Sequence, residues 1–360
     1  MIMILGPMIW AVSYTHLDVY KRQVIMSPTN RQYFTGFLSS AGMLVVTKEQ
    51  AYLIIDFRYY EKAAREIQGC QVVLLEDYNK QLEEILKKHQ CKTIAVEIER
   101  VTLAEYLRLK DYFTDYAFDT TSTFSDLINQ LRMVKTPDEI YEILAAQEIT
   151  EKAFDHILNF IKPGVTEKQV AFELDQYMRS HGADDISFET IAVSGKNSSS
   201  PHGTPTEKPL ESGDFLTMDF GAMVHGYHSD MTRTVVIGKP TEEMEHLYQT
   251  VLEGQKMGLE AVCAGKKGQE VDNVVREYFD QQGYQGAFGH SLGHGVGMEI
   301  HEQPNLSPRS QTILQKGMVV TVEPGLYLPG KFGVRIEDMV VVTENGCRNL
   351  TNCKKELICL

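Results

Sequence analysis

Two stretches of the chain echo one another at an offset of 101 residues. Residues 164–182 (GVTEKQVAFELDQYMRSHG) and 265–283 (GKKGQEVDNVVREYFDQQG) share their length, their apolar spacing and a terminal glycine. After each come two runs with the two-residue alternation of β-strands: 216–221 then 230–238, and 320–325 then 334–343. A chain that uses helix followed by paired strands twice is predicted to fold as a duplicated α+β unit. Its functional pocket is then expected between the halves, where pockets commonly form.

Ahead of the repeat, 360 residues leave room for a second domain. Strand patterns at 43–47, 51–55, 71–75 and 93–97 alternate with helical patterns at 58–67, 79–89 and 103–112, which predicts a small α/β domain with a mainly parallel or mixed sheet. The boundary falls near 131–135. There Thr136-Pro137-Asp138-Glu139 reads as a capping box with proline at the first helical position, opening a helix that runs to about residue 161. Thr166 and Gln169 form a second capping box. The predicted domains are 24–131 and 132–360. Residues 1–23 are set apart, because the apolar run 1–12 lacks a preceding Lys or Arg and is broken by Pro7, unlike a signal peptide, and 11–23 resembles a translated adapter. A non-native leader is therefore expected.

A net charge of −14 without a basic patch argues against nucleic acid and anionic lipid as partners. The six cysteines are scattered without a CxxC pair, so they read as reduced thiols of a cytoplasmic protein.

Chemistry concentrates in the duplicated part. In the run from Phe215, Asp219 faces away from the side of Leu216, Met218 and Phe220, and a turn near His225-Gly226 returns Asp230 alongside it. Two carboxylates brought together call for a proton or a cation between them. In the second half Glu323 and Glu337 take corresponding strand placements, with Arg335 on the same face as Glu337. Solvated carboxylates on an open sheet are the plain alternative, weakened by the repetition. The segment 289–302 (GHSLGHGVGMEIHE) packs three histidines, His290, His294 and His301, among four glycines, a density suited to ligation or proton transfer. His202 adds a fourth from a polar loop, whereas His225 and His228 suit a surface role. A GxSxG elbow, a Walker loop and a Rossmann fingerprint are all missing from the sequence, which leaves nucleophilic and nucleotide chemistry with little support.

These residues resemble the pita-bread metallopeptidases, specifically the Xaa-Pro peptidases, aminopeptidase P and prolidase, over about residues 26 to 360. The resemblance implies a creatinase-like amino-terminal α/β domain and a pita-bread catalytic domain with an internal pseudo-twofold. It matches Asp219, Asp230, His294, Glu323 and Glu337 to five metal ligands, and His202, His290 and His301 to histidines that handle substrate or protons. Arg335 matches a substrate-side arginine. The family's first helix and strand are expected to be replaced by the leader. A homodimer, two divalent ions and a peptide substrate with proline second are also implied. One histidine with four carboxylates suits manganese, with cobalt, zinc or iron as alternatives. The expected activity is that of an Xaa-Pro aminopeptidase, with Glu323 taking the water's proton and His202 and His301 steadying the oxyanion. Prolidase is the alternative within the family. A non-catalytic peptide-binding protein on the same fold is the alternative from another class, marked by lost ligands, and here all five are present.

Overall fold

A computed structural model describes residues 21–360. The chain divides into two units after Gln130.

The first unit is a six-stranded mixed sheet flanked by helices. In chain order it comprises β1 (Lys21–Ile25), α1 (Pro28–Thr35), β2 (Met43–Val46), β3 (Ala51–Ile55), α2 (Phe57–Glu66), β4 (Gln71–Leu74), α3 (Tyr78–Lys88), β5 (Thr93–Val96), α4 (Leu103–Tyr112), β6 (Ala117–Asp119) and most of α5 (Thr123–Met133), whose last three residues belong to the second unit. Spatially the strands run β4-β3-β2-β1-β5-β6. All residues of β2 and β3 are buried, so these central strands read as continuous apolar runs rather than alternating ones.

The leader boundary needs correction here. β1 begins at Lys21, pairs in parallel with β5 and antiparallel with β2, and so occupies the middle of the sheet. Its sequence KRQVI opens with three polar residues and hides a strand, although Gln23 is only 1% exposed. The strand expected to be replaced is therefore present. Residues 1–20, with the rest of the suggested leader, lie outside the described residues.

The second unit holds the repeat. Its first half contains α6 (Pro137–Phe160), α7 (Glu167–Ser180), β7 (Asp185–Ile186), β8 (Ile191–Ser194), a 3₁₀ turn (Gly195–Ser199), β9 (Phe215–Phe220), β10 (Ala222–Val224), β11 (Tyr227–His228) and β12 (Met231–Val236). The second half contains α8 (Glu242–Ala261), α9 (Gly268–Gln281), β13 (Gly293–Gly295), β14 (Glu302–Leu306), β15 (Val319–Val322), β16 (Gly325–Leu328), β17 (Phe332–Arg335), β18 (Asp338–Thr343) and β19 (Gly346–Asn349). Both predicted capping boxes form, at Thr136/Glu139 and Thr166/Gln169. Such a cap contributes about 1 kcal/mol.

Each half has its own apolar core. Phe154 and Leu174 of the helices meet Met218, Phe220 and Met231 of the sheet β12-β9-β8. Val251, Val275 and Phe279 meet Val320, Val322 and Val340 of the sheet β14-β13-β15-β18-β19. Helices cover one face of each sheet, and the polar faces meet where Glu337 N donates to Thr232 O (3.2 Å) and Arg335 N donates to Thr234 Oγ1 (3.3 Å).

The run 334–343, expected as one strand, is two. β17 ends at Arg335 and β18 starts at Asp338, because Ile336 and Glu337 turn their amides out of the ladder toward Pro324 O and Thr232 O. That break points Glu337 into the space between the halves.

Candidate metal centre and active site

The five expected ligands come from strand ends. Asp219 is the penultimate residue of β9, Asp230 immediately precedes β12, His294 is the middle of β13, Glu323 follows β15 and Glu337 precedes β18. In the β9/β12 ladder Thr232 stands opposite Asp219, so Asp230 is its diagonal neighbour rather than its direct partner. Asp230, His294 and Glu337 each offer a ligand atom, all within 4.8 Å of one another. His294 Nε2 stands 3.5 Å from Asp230 Oδ2 and 3.4 Å from Glu323 Oε1. Asp219 joins through Arg335, whose Nη2 donates to Asp219 Oδ2 at 2.6 Å.

The tautomer of His294 follows from its neighbours. Its Nδ1 lies 3.1 Å from Gly295 O, which only accepts, so the proton sits on Nδ1 and the Nε2 lone pair faces the carboxylates. Burial, with His301 nearby, lowers its pKa to about 4, which keeps that lone pair free at neutral pH.

The carboxylates are strained electrostatically. Burial raises the pKa of Asp230 well above the usual range, and the charges of Glu337, Asp219 and Glu323 push it further. Burial raises Glu323 to about 8 despite Arg335, and Glu337 is raised by burial and by Glu323 and Asp219. Asp219 Oδ1 and Glu337 Oε1 are buried without a hydrogen-bond donor. Orphaned anionic oxygens of this kind are costly unless a cation takes them. Four carboxylates and one neutral imidazole fit hard or borderline divalent cations, and the absence of thiolate fits them too.

The other predicted residues line the same centre. The His301 ring lies 4.4 Å from that of His294, and His301 is exposed. His290 Nδ1 donates to Ser291 O (2.8 Å), so Nε2 accepts from Tyr327 Oη (3.0 Å); burial and Arg335 hold its pKa down to about 4. Arg335 is 3% exposed and commits its guanidinium to Thr232 Oγ1, Pro201 O, Tyr327 Oη and Asp219. Through Pro201 it holds the residue before His202. His225 is on the surface beside Glu142, as expected, but His228 is half-buried with its Nδ1 unpartnered, because Tyr227-His228 forms the short strand β11.

Tyr327 was missed by the sequence reading. Its hydroxyl bridges His290 and Arg335, and a lone tyrosine in an apolar run carries no signal of that role. Arg233 was missed as well. It is 1% exposed, pairs with Asp338 (2.8 Å) and donates to Glu337 O (2.5 Å), tying the backbone of Glu337 to the carbonyls of Cys353 and Lys354.

Among the described residues, no helix is long and apolar enough to cross a membrane. Residues 21–134 match the creatinase/prolidase N-terminal domain, and residues 141–344 match metallopeptidase family M24. The chain is 38% identical over 339 residues to an Xaa-Pro dipeptidase of Pyrococcus furiosus, covering 94% of this chain and 95% of that protein. Among solved structures, an Xaa-Pro dipeptidase from Bacillus anthracis superimposes with a TM-score of 0.91 at 41% identity, covering 94% of this chain and 95% of that one. An X-Pro aminopeptidase from Thermotoga maritima superimposes with a TM-score of 0.90 at 38% identity, covering 95% and 98%. The likeness to Xaa-Pro peptidases read from the sequence, and the two-domain fold that went with it, are borne out. A carboxylate cluster between duplicated halves, matched along most of the second unit, thus makes this chain an enzyme of metallopeptidase family M24.

Proposed function

We propose that the chain hydrolyses the peptide bond between an amino-terminal residue and a following proline, with Xaa-Pro dipeptides as its preferred substrates. The observation that carries the reading is the convergence of Asp230, His294 and Glu337, flanked by Asp219 and Glu323, with two anionic oxygens left without donors. Asp219, Asp230, His294, Glu323 and Glu337 would hold two divalent cations, manganese best suited among them, supplying a water of lowered pKa and polarisation of the scissile carbonyl.

The chain's own groups do the rest. Thr321 Oγ1 donates to Glu323 Oε1 (3.3 Å), which leaves Oε2 to take the proton of the attacking water. His301 and His202 face the substrate and donate to the carbonyl oxygen as it gains charge. His290 has both ring nitrogens engaged, so it walls the substrate pocket beside Tyr327 rather than exchanging protons. Arg335 holds Asp219 and the His202 loop in register.

The dipeptide preference is supported by the relatives named Xaa-Pro dipeptidase, at 38% and 41% identity. The aminopeptidase reading reached from the sequence is supported by the Thermotoga maritima structure. Assay of one Xaa-Pro dipeptide and the same dipeptide extended by one residue, under one metal, separates them: faster turnover of the extended peptide would reject the dipeptidase reading. A homodimer in the cytoplasm completes the proposal, consistent with six cysteines that are all free thiols. Light scattering of the purified protein tests the dimer.

A further inference from the structure

Glu167, the first residue of α7, has no part in the chemistry above and is fully buried. Its carboxylate is among the most heavily hydrogen-bonded groups of the molecule. Oε1 accepts from Ser194 N (2.6 Å), Ser194 Oγ (2.9 Å) and Asn197 Nδ2 (3.0 Å). Oε2 accepts from Thr206 N (3.0 Å), Thr206 Oγ1 (2.6 Å) and Asn197 Nδ2 (3.1 Å). One oxygen thus holds the start of the 194–206 loop and the other holds its end. His202 stands between those ends in the sequence, and the loop's middle is fixed by Arg335 Nη1 on Pro201 O (3.1 Å) and by Gly333 N on Ser198 Oγ (3.0 Å).

We propose that Glu167 is a positioning residue for His202, its two carboxylate oxygens clamping opposite ends of the loop and so fixing where the imidazole stands over the metal ligands. The inference rests on the reading that His202 contacts substrate. A neutral group at 167 with one oxygen cannot serve both ends, because every neighbour within reach is a donor: two backbone amides, two hydroxyls and a side-chain amide. Charge-assisted bonds to all of them are roughly twice as strong as neutral ones. A shift of about 1 Å in a catalytic group costs up to about 100-fold in rate. A carboxylate that only supported the fold would lower stability without acting through His202.

The test is a double-mutant cycle on the full chain loaded with manganese, comparing wild type, Glu167→Gln, His202→Ala and the double variant. It measures kcat and KM on an Xaa-Pro dipeptide, bound manganese per chain and Tm. Glu167→Gln is expected to lower kcat/KM about 10- to 100-fold with bound manganese unchanged. In the His202→Ala background the same change is expected to cost less than about twofold. An equal cost in both backgrounds, or a wild-type rate for Glu167→Gln, overturns the proposal. If Glu167→Gln does not fold, Asn197→Ala carries the same cycle, since it removes the donor that spans both oxygens and leaves Ser194 and Thr206 in place; additive costs there overturn the proposal equally. A wild-type rate for His202→Ala overturns the role given to His202 and this inference with it. A slow His202→Ala beside a fully active Glu167→Gln overturns this inference alone.

Discussion

The two halves of the catalytic unit carry the same plan with different fastenings. In each, a helix precedes a short strand, a histidine follows that strand, and two carboxylates flank the next pair: β8, His202, Asp219 and Asp230 in one, β13, His301, Glu323 and Glu337 in the other. The second carboxylate of each pair immediately precedes its returning strand. The loops are anchored differently. Glu167 gathers the His202 loop, whereas 101 residues on the corresponding position is Gly268, where a side chain would collide with Asn305 O and Ser310. The His301 segment is held instead by Glu302, which pairs with Arg132 (2.6 Å) and Lys135 (2.5 Å). The carboxylate pair thus recurs in both halves, while His294 comes from the second half alone and the supports differ.

The largest effect should come from the shared part. Removing metal with a chelator is expected to abolish hydrolysis, and manganese or cobalt to restore it. Asp219→Asn from the first half and Glu337→Gln from the second are each expected to lower both bound metal and rate, by at least about 100-fold, beyond what changes outside the ligand shell cost. Retention of metal and rate by one variant but not the other would show that the halves do not contribute equally.

Next come the histidines. His301→Ala is expected to keep its metal and to lose about 100- to 1000-fold in kcat, the loss typical of one oxyanion donor. Metal loss in that variant would make His301 a ligand and break the correspondence with His202.

How far the sequence revealed this site depends on which signal each residue leaves. Asp219 lies in a strand, and Asp230, Glu323 and Glu337 lie immediately beside strands, whose apolar alternation is plain enough for their polar placement to be read directly. His294 stood out by glycine and histidine density. Glu167 left no trace, because an acidic residue at the start of a helix is ordinary and its partners lie 27 to 39 residues away. Tyr327 and Arg233 are silent for the same reason: each acts through tertiary partners. β1 was missed because its polar start sits in a strand flanked on both sides, where pairing rather than side-chain pattern decides.

The two anchors are both glutamates and differ in their partners, since Glu167 is met by neutral donors and Glu302 by two cations. Glu302→Gln would leave Lys135 buried without its carboxylate and Arg132 with its ion pair to Glu299, and is expected to cost about 3 kcal/mol in stability. Lys135 and Arg132 hold the Glu302 carboxyl below its usual pKa, so its contribution is present above the ordinary carboxylate value and is lost as pH falls through the depressed one. Urea unfolding of the variant at pH 7 measures the cost; an unchanged midpoint would mean that the His301 segment needs no such lock.

The smallest expected effect distinguishes the ligand cluster from that lock by its opposite pH dependence. In the metal-free protein Glu323 has a pKa of about 8 against an ordinary value of 4.5, and Asp230 and Glu337 are raised as well, by burial and by one another's charge. A folded-state pKa above the unfolded one gives stability that is full below the unfolded value and drains away as pH rises through the folded value. The metal-free protein should therefore lose stability between about pH 4.5 and pH 8, while the metal-loaded protein should lose much less, because the cations take the oxygens that otherwise repel. Since the repulsion crosses from one half to the other, neutralising a carboxylate in either half should relieve it. Asp230→Asn and Glu323→Gln are each expected to raise the metal-free Tm at pH 8, by about 2 to 4 °C for every kcal/mol recovered, while lowering the Tm of the protein in excess manganese. Calorimetry with and without metal reads both. A metal-free Tm that is flat across this pH range, or lowered by both substitutions, would mean that the four carboxylates are held by compensating hydrogen bonds within each half, and that the halves are independent until a cation joins them.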